Sequence, residues 1–175
     1  DPEAWTAMRQ AQANLADMHG VTVIAMYDLA GRDSMEPYVG RRVAAWAAAI
    51  AQGKAPPAGP SYRGHRVEGR RVIVRLAGAD GGLIAGKSLM TGRDSTGLRV
   101  EPTGSAEVGG FELAGADGVW HAAAAKIEGQ TVTVSCDKVE KPAAVRYAWA
   151  AEPKSANLYS RDGLADFGSA AQAYR

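Results

Sequence analysis

RVEGRRVIVR (residues 66–75) and KIEGQTVTVS (residues 126–135) share one plan: a basic residue, a β-branched residue, Glu-Gly, two further residues, then valines at alternate positions. Successive side chains of an extended chain point to opposite sides, so this alternation sends Val72 and Val74 to one face, and Val132 and Val134 likewise. Glu-Gly between two such runs marks a tight connection, and each stretch therefore predicts a β-hairpin. The echo has two readings, an ancestral repeat or two hairpins that solve the same turn problem alike, and the residues leave both open.

Outward from the hairpins the period of two continues. Strands are expected in GGFELAG (109–115), in GVWHAAAAKI (118–127) after an Ala116-Asp117-Gly118 turn, and in AAVRYAWA (143–150). Short strands punctuated by Gly and Asp predict a small antiparallel β-sandwich with a C-terminal tail over residues 61–175. Cys136 continues the face of Val132 and Val134 and is expected to pack rather than react; a lone cysteine forms no internal disulfide. Before the sandwich, Lys54 to Pro60 reads as a linker, because its prolines stiffen it and its composition disfavours regular structure.

Upstream of that linker the period changes to that of helices. Asp1 and Pro2 suit a helix start, Trp5, Met8, Leu15 and Met18 recur near every 3.6 residues, and Gly20 stops the run. VTVIAMY (Val21–Tyr27) is nearly continuously apolar and predicts a strand covered on both faces in a parallel sheet. A second helix is expected over residues 39–52, with Val39, Val43, Trp46 and Ile50 on one face and Gly53 as its stop. Helix, buried strand, loop and helix make a piece of a doubly wound α/β fold, but one parallel strand has no sheet to join. The fold class expected is thus α/β plus all-β: the last part of a doubly wound α/β domain (1–53), a linker (54–60) and the sandwich (61–175).

Composition narrows the partners. With 46% apolar residues the chain can bury a real core, and a formal charge of +1 gives no cationic surface for nucleic acid or an anionic membrane. The pairs Arg41-Arg42 and Arg70-Arg71 are expected on solvated faces. No apolar run approaches the ~18 residues that span a bilayer, and no basic-then-apolar signal peptide opens the chain. The start DPEAW, without methionine, reads either as the product of processing or as a polypeptide whose start has been removed by design.

Several motifs invite chemistry. Gly81–Ser88, GGLIAGKS, satisfies the phosphate-binding pattern of glycine, four residues and Gly-Lys-Ser, yet LMTGRDSTG follows where a helix would be required, so a hairpin loop is expected instead. His19, His65 and His121 are scattered and have no cysteine partner, so neither a metal nor another cofactor is expected. Trp120, Trp149, Tyr147 and Tyr159 could stack on sugar rings, although in a sandwich such residues more often pack the core. The loop 28–37 leaves the carboxyl end of the predicted strand, where open α/β sheets bind ligands, and carries Asp28, Asp33, Ser34 and Glu36. Short acidic residues also make good loops and caps, and position leaves the two readings level.

The runs GFELAGADG, AKIEGQTVTVS and PAAVRYAWAAEPKSANLYSRDGL resemble the end of the sialate O-acetylesterase family, carbohydrate esterases of the SGNH hydrolase superfamily. YDLAGRDSMEPYVGRRVAAWA resembles the family segment that bears the catalytic histidine, and WTAMRQAQANL the helix before it. The resemblance implies a three-layer α/β esterase core followed by a β-sandwich. It also implies that the nucleophilic serine lies upstream of everything present here. At the histidine position this chain reads Asp33-Ser34-Met35-Glu36-Pro37, with Glu36 in the histidine's place and a short stretch missing before GRR.

A base for acyl transfer takes the serine proton and returns it to the leaving alcohol, which imidazole does well near neutrality and a carboxylate with a pKa near ~4 does poorly. Two expectations follow. In one, the chain is the C-terminal piece of a two-piece O-acetylesterase, with Asp33 and Glu36 at or beside the site and a separate N-terminal chain supplying the serine. In the other, it is a non-catalytic relative that binds carbohydrate or a partner protein. The resemblance implies an O-acetylated carbohydrate as substrate and a periplasmic or secreted location.

Overall fold

In the computed structural model the residues described are 2–15, 18, 21, 23–26, 28, 36–57, 59–78, 80–91, 97–161 and 173–174. Among them the chain forms α1 (Pro2–Asn14) and α2 (Glu36–Ala51), followed only by strands. These are β1 (Ser61–Glu68), β2 (Arg71–Ala77), β3 (Leu83–Thr91), β4 (Gly97–Pro102), β5 (Phe111–Ala114) and β6 (Trp120–Ala122). After them come β7 (Ala124–Glu128), β8 (Thr131–Ser135), β9 (Ala144–Tyr147), β10 (Leu158–Ser160) and β11 (Ala173–Tyr174).

Both Glu-Gly turns form. Glu68 pairs with Arg71 and Glu128 with Thr131, leaving two-residue loops whose glycines, Gly69 and Gly129, have φ of 59° and 65°, a conformation glycine adopts without steric penalty. The two hairpins then join through β2 and β8 in a four-stranded antiparallel sheet of order β1-β2-β8-β7. Ile73 pairs with Thr133 at the centre, flanked by Val72 against Val134 and Val74 against Val132. The echoed stretches therefore occupy equivalent places about a local two-fold axis. Their four valines, all 3% exposed or less, form one apolar patch.

Opposite that patch lies a second four-stranded sheet, β11-β9-β5-β6, which contributes Phe111, Leu113, Val145 and Tyr147 to the same hydrophobic cluster. A three-stranded sheet, β10-β3-β4, adds Leu83, Ala85 and Leu158. The rings of Phe111 and Tyr147 lie 4.6 Å apart, and the Tyr147 hydroxyl accepts a hydrogen bond from the Leu158 amide at 2.9 Å, so the ring packs while its oxygen is satisfied. GVWHAAAAKI, expected as one strand, is two: β6 belongs to one sheet and β7 to the other, and Ala123 at the corner donates its amide to Phe111 O. An uninterrupted pattern does not reveal where a strand changes sheets.

The α part departs further from expectation. α2 stops as its sequence implies: Gly53 has φ of 65°, its amide bonds to Ile50 O and the Lys54 amide to Ala49 O, which satisfies the last carbonyls. The parallel strand expected at Val21–Tyr27 is absent among its described residues, since Val21 and residues 23–26 carry no strand pairing. The reason is physical, for a parallel strand needs neighbours and every described ladder in this chain is antiparallel. The helix faces expected to be buried are largely open: Trp5 is 55% exposed and Ile50 51%, with Met8, Leu15, Met18 and Val43 also exposed. One tie between α1 and the β part is polar. Arg9 donates to the carbonyls of Ala148, Ala150 and Ala151 in the corner after β9.

Candidate functional site

The loop expected to carry chemistry begins at Asp28, and there the structure is specific. The Asp28 carboxylate is fully buried and takes two hydrogen bonds from Arg42 on α2, Nη2 to Oδ2 at 2.7 Å and Nη1 to Oδ1 at 3.1 Å. Arg42 also donates to Ala25 O. Its side chain is only 7% exposed, so the solvated face expected for Arg41-Arg42 holds for Arg41 alone. Asp28 precedes residues 29–35 and Arg42 follows them, and this fork-to-carboxylate contact clasps the base of the loop. Asp28 is thereby committed to structure. Asp33, Ser34 and the side chain of Glu36 lie outside the described residues; the backbone of Glu36 opens α2, where an acidic residue type suits the helix dipole.

Ser88 of β3 donates from Oγ to Asp28 O at 3.0 Å, tying the loop base to the β part. Around this contact runs a groove of about 420 Å³, lined by Asp28, by Lys87 and Ser88, by Thr103, and by the segment from Glu152 to Asn157 with Tyr159 beneath. The Gly-Lys-Ser of the phosphate-like pattern falls here, in mid-strand rather than in a hairpin loop. β3 pairs with β10 over residues 83–85 and with β4 over 86–91, the Gly86 amide donates to Asn157 O at 2.9 Å, and Lys87 pairs with Glu101. The Gly86 amide is already taken by Asn157 O, and the strand runs on to Thr91 where a phosphate loop requires a helix, so the phosphate-binding context is missing here.

The four aromatics divide. Tyr147 and Tyr159 are 2% and 3% exposed and belong to the interior, while Trp120 and Trp149 are half-buried on either side of Arg146. The Arg146 guanidinium carbon sits 4.2 Å from the Trp120 ring centre and 5.4 Å from that of Trp149, and Nε donates to Glu112 at 2.7 Å. Cross-strand pairing of Glu112 with Arg146 places the ion pair, which no sequence spacing announces because register is not visible there. His65 shares a hydrogen bond of 2.7 Å with the Tyr62 hydroxyl, and burial pushes that phenol above its usual range, with nearby Arg75 opposing. His121 is half-buried in β6, and His19 lies outside the described residues. Among the described residues no His, Cys, Asp and Glu cluster could hold a metal, and no helix is long and apolar enough to cross a membrane.

The chain is similar to a carbohydrate esterase of known structure. That structure is a carbohydrate acetylesterase from Xanthomonas citri, 30% identical with a TM-score of 0.60; the alignment covers 74% of this chain and 26% of that one. The chain spans about a quarter of that structure's length. No protein-family model matches the chain, and no curated protein does.

Proposed function

We propose that this chain is the C-terminal part of a serine-dependent carbohydrate O-acetylesterase of the sialate O-acetylesterase kind, completed by an α/β polypeptide that carries the serine. The 30% identity to a carbohydrate acetylesterase over 74% of the chain carries this reading. The open apolar faces of α1 and α2 support it, since Trp5, Met8, Val43 and Ile50 are what a missing α/β layer would cover. In the reaction the serine oxygen attacks the acetyl carbonyl, an oxyanion hole holds the tetrahedral intermediate, and the sugar leaves with the proton that the base took from the serine. Water then attacks the acyl-serine, releasing acetate and restoring the serine.

Asp33 and Glu36 stand at or beside the base position, and Glu36 works only if burial raises its pKa by several units. The place of action is outside the cytoplasm, periplasmic or secreted. Mass spectrometry of native material is expected to find a second polypeptide with a Gly-Asp-Ser-like segment, and the pair is expected to release acetate from acetylated sugars. In that pair Glu36→His separates the readings: lost activity supports a working carboxylate, and gained activity a decayed site. The presence of Glu36 where the family has histidine favours a second reading, a non-catalytic relative that binds carbohydrate. A folded chain purified alone, without acetate release, is the outcome that reading expects.

A further inference from the structure

We propose that the groove between β3 and the Glu152–Asn157 segment is a carbohydrate-binding subsite built by the β part, which would hold the glycan whose ester the adjoining loop processes; the fate of the ester rests on the esterase reading, the binding does not. Its volume of about 420 Å³ falls within the range of small-molecule sites. Its lining mixes hydroxyl, carboxamide and ammonium groups, the complement of sugar hydroxyls, which both donate and accept.

The wall is rigid. A Cβ at Gly109 would lie 2.4 Å from Ser155 O, and Gly110, with φ of 87°, faces Ala156, so the backbone of residues 155–156 lies directly against two glycines. On the other wall a Cβ at Gly86 would meet Val100 at 2.5 Å and the Tyr159 ring at 3.2 Å. Asn157 lines the groove, and its Oδ1 accepts from the Gly109 amide at 2.9 Å, which fixes the plane of the carboxamide. A groove already set in shape loses little entropy when it takes a ligand. Its rim includes Asp28, the residue from which the acid-bearing loop departs, held there by Ser88.

The test is calorimetric titration of the full 175-residue chain with two unacetylated probes, a neutral xylo-oligosaccharide and the anionic sialyllactose. Saturable binding of at least one is expected, weakened about tenfold or more by Asn157→Ala and by Lys87→Ala. Selective loss of sialyllactose in Lys87→Ala would mark an acidic glycan, and equal loss of both a neutral one. Lys87 is exposed, so that variant keeps the test open should Asn157→Ala fail to fold. No binding of either probe by the folded chain, or binding indifferent to both substitutions, overturns the proposal. Binding that persists while the chain and a serine-bearing partner release no acetate removes the esterase reading and leaves the subsite standing. Acetate release unaffected by both substitutions does the reverse.

Discussion

Arg42→Met removes the guanidinium that clasps the loop base and keeps much of the side chain's length. The partner left behind, the Asp28 carboxylate, has no solvent exposure, and breaking a buried pair by deleting one member costs about 3–5 kcal/mol. The loss is expected to be local, because the hydrophobic cluster of the β part contains no residue of α1 or α2 and does not depend on the clasp. Hydrogen exchange followed by mass spectrometry is the suitable assay. Opening of α2, read from its helical amides around Arg42, should become more frequent by about a hundredfold or more, while amides of β2 and β8 exchange as before. Adding Asp28→Asn should recover part of the loss, since the charge stranded by the first substitution is then gone. Exchange of the α2 amides changed less than about twofold by Arg42→Met would refute the claim that this pair anchors α2 to Asp28.

Two further outcomes are expected. Gly109→Ala should lower stability by about 1–3 kcal/mol in chemical denaturation, because the added carbon meets the Ser155 carbonyl, which belongs to backbone and cannot swing away. Tyr62 has a raised pKa in the folded chain, so above about 10 the unfolded chain loses its phenolic proton first; the associated stability is present below the ordinary value of 10.0 and is lost as pH rises through the raised one. Thermal unfolding across that alkaline range should show the decline, and Tyr62→Phe should flatten it.

The β part was legible because its signals are local. Period-two valines and Glu-Gly turns place hairpins without knowledge of anything distant, and Gly53 marks the end of α2 in the same way. What failed needed distant partners. Val21–Tyr27 has the composition of a buried parallel strand, but composition says nothing about whether neighbours exist, and the described part of the segment pairs with no strand. Arg42 looked like an exposed basic residue because its spacing to Asp28 crosses a loop rather than a helix turn. Asp33 and the side chain of Glu36 lie outside the described residues, whereas the groove at Asp28 combines segments from four parts of the chain and could not be assembled from any one of them. The Trp120–Arg146–Trp149 arrangement was half visible: the aromatics stood out, while the cation between them depended on strand register.

The join between β2 and β8 also dictates an order of events during synthesis. β2 emerges from the ribosome with one side paired to β1 and the other bare, and it stays so until residues 78–130 have followed and β8 can arrive. Throughout that interval Val72, Ile73 and Val74 present an unpaired, β-prone edge, which is the kind of surface that recruits a second nascent chain. The charges that bracket it, Arg70 and Arg71 before and Arg75 after, stand where like-charge repulsion would keep two such edges apart.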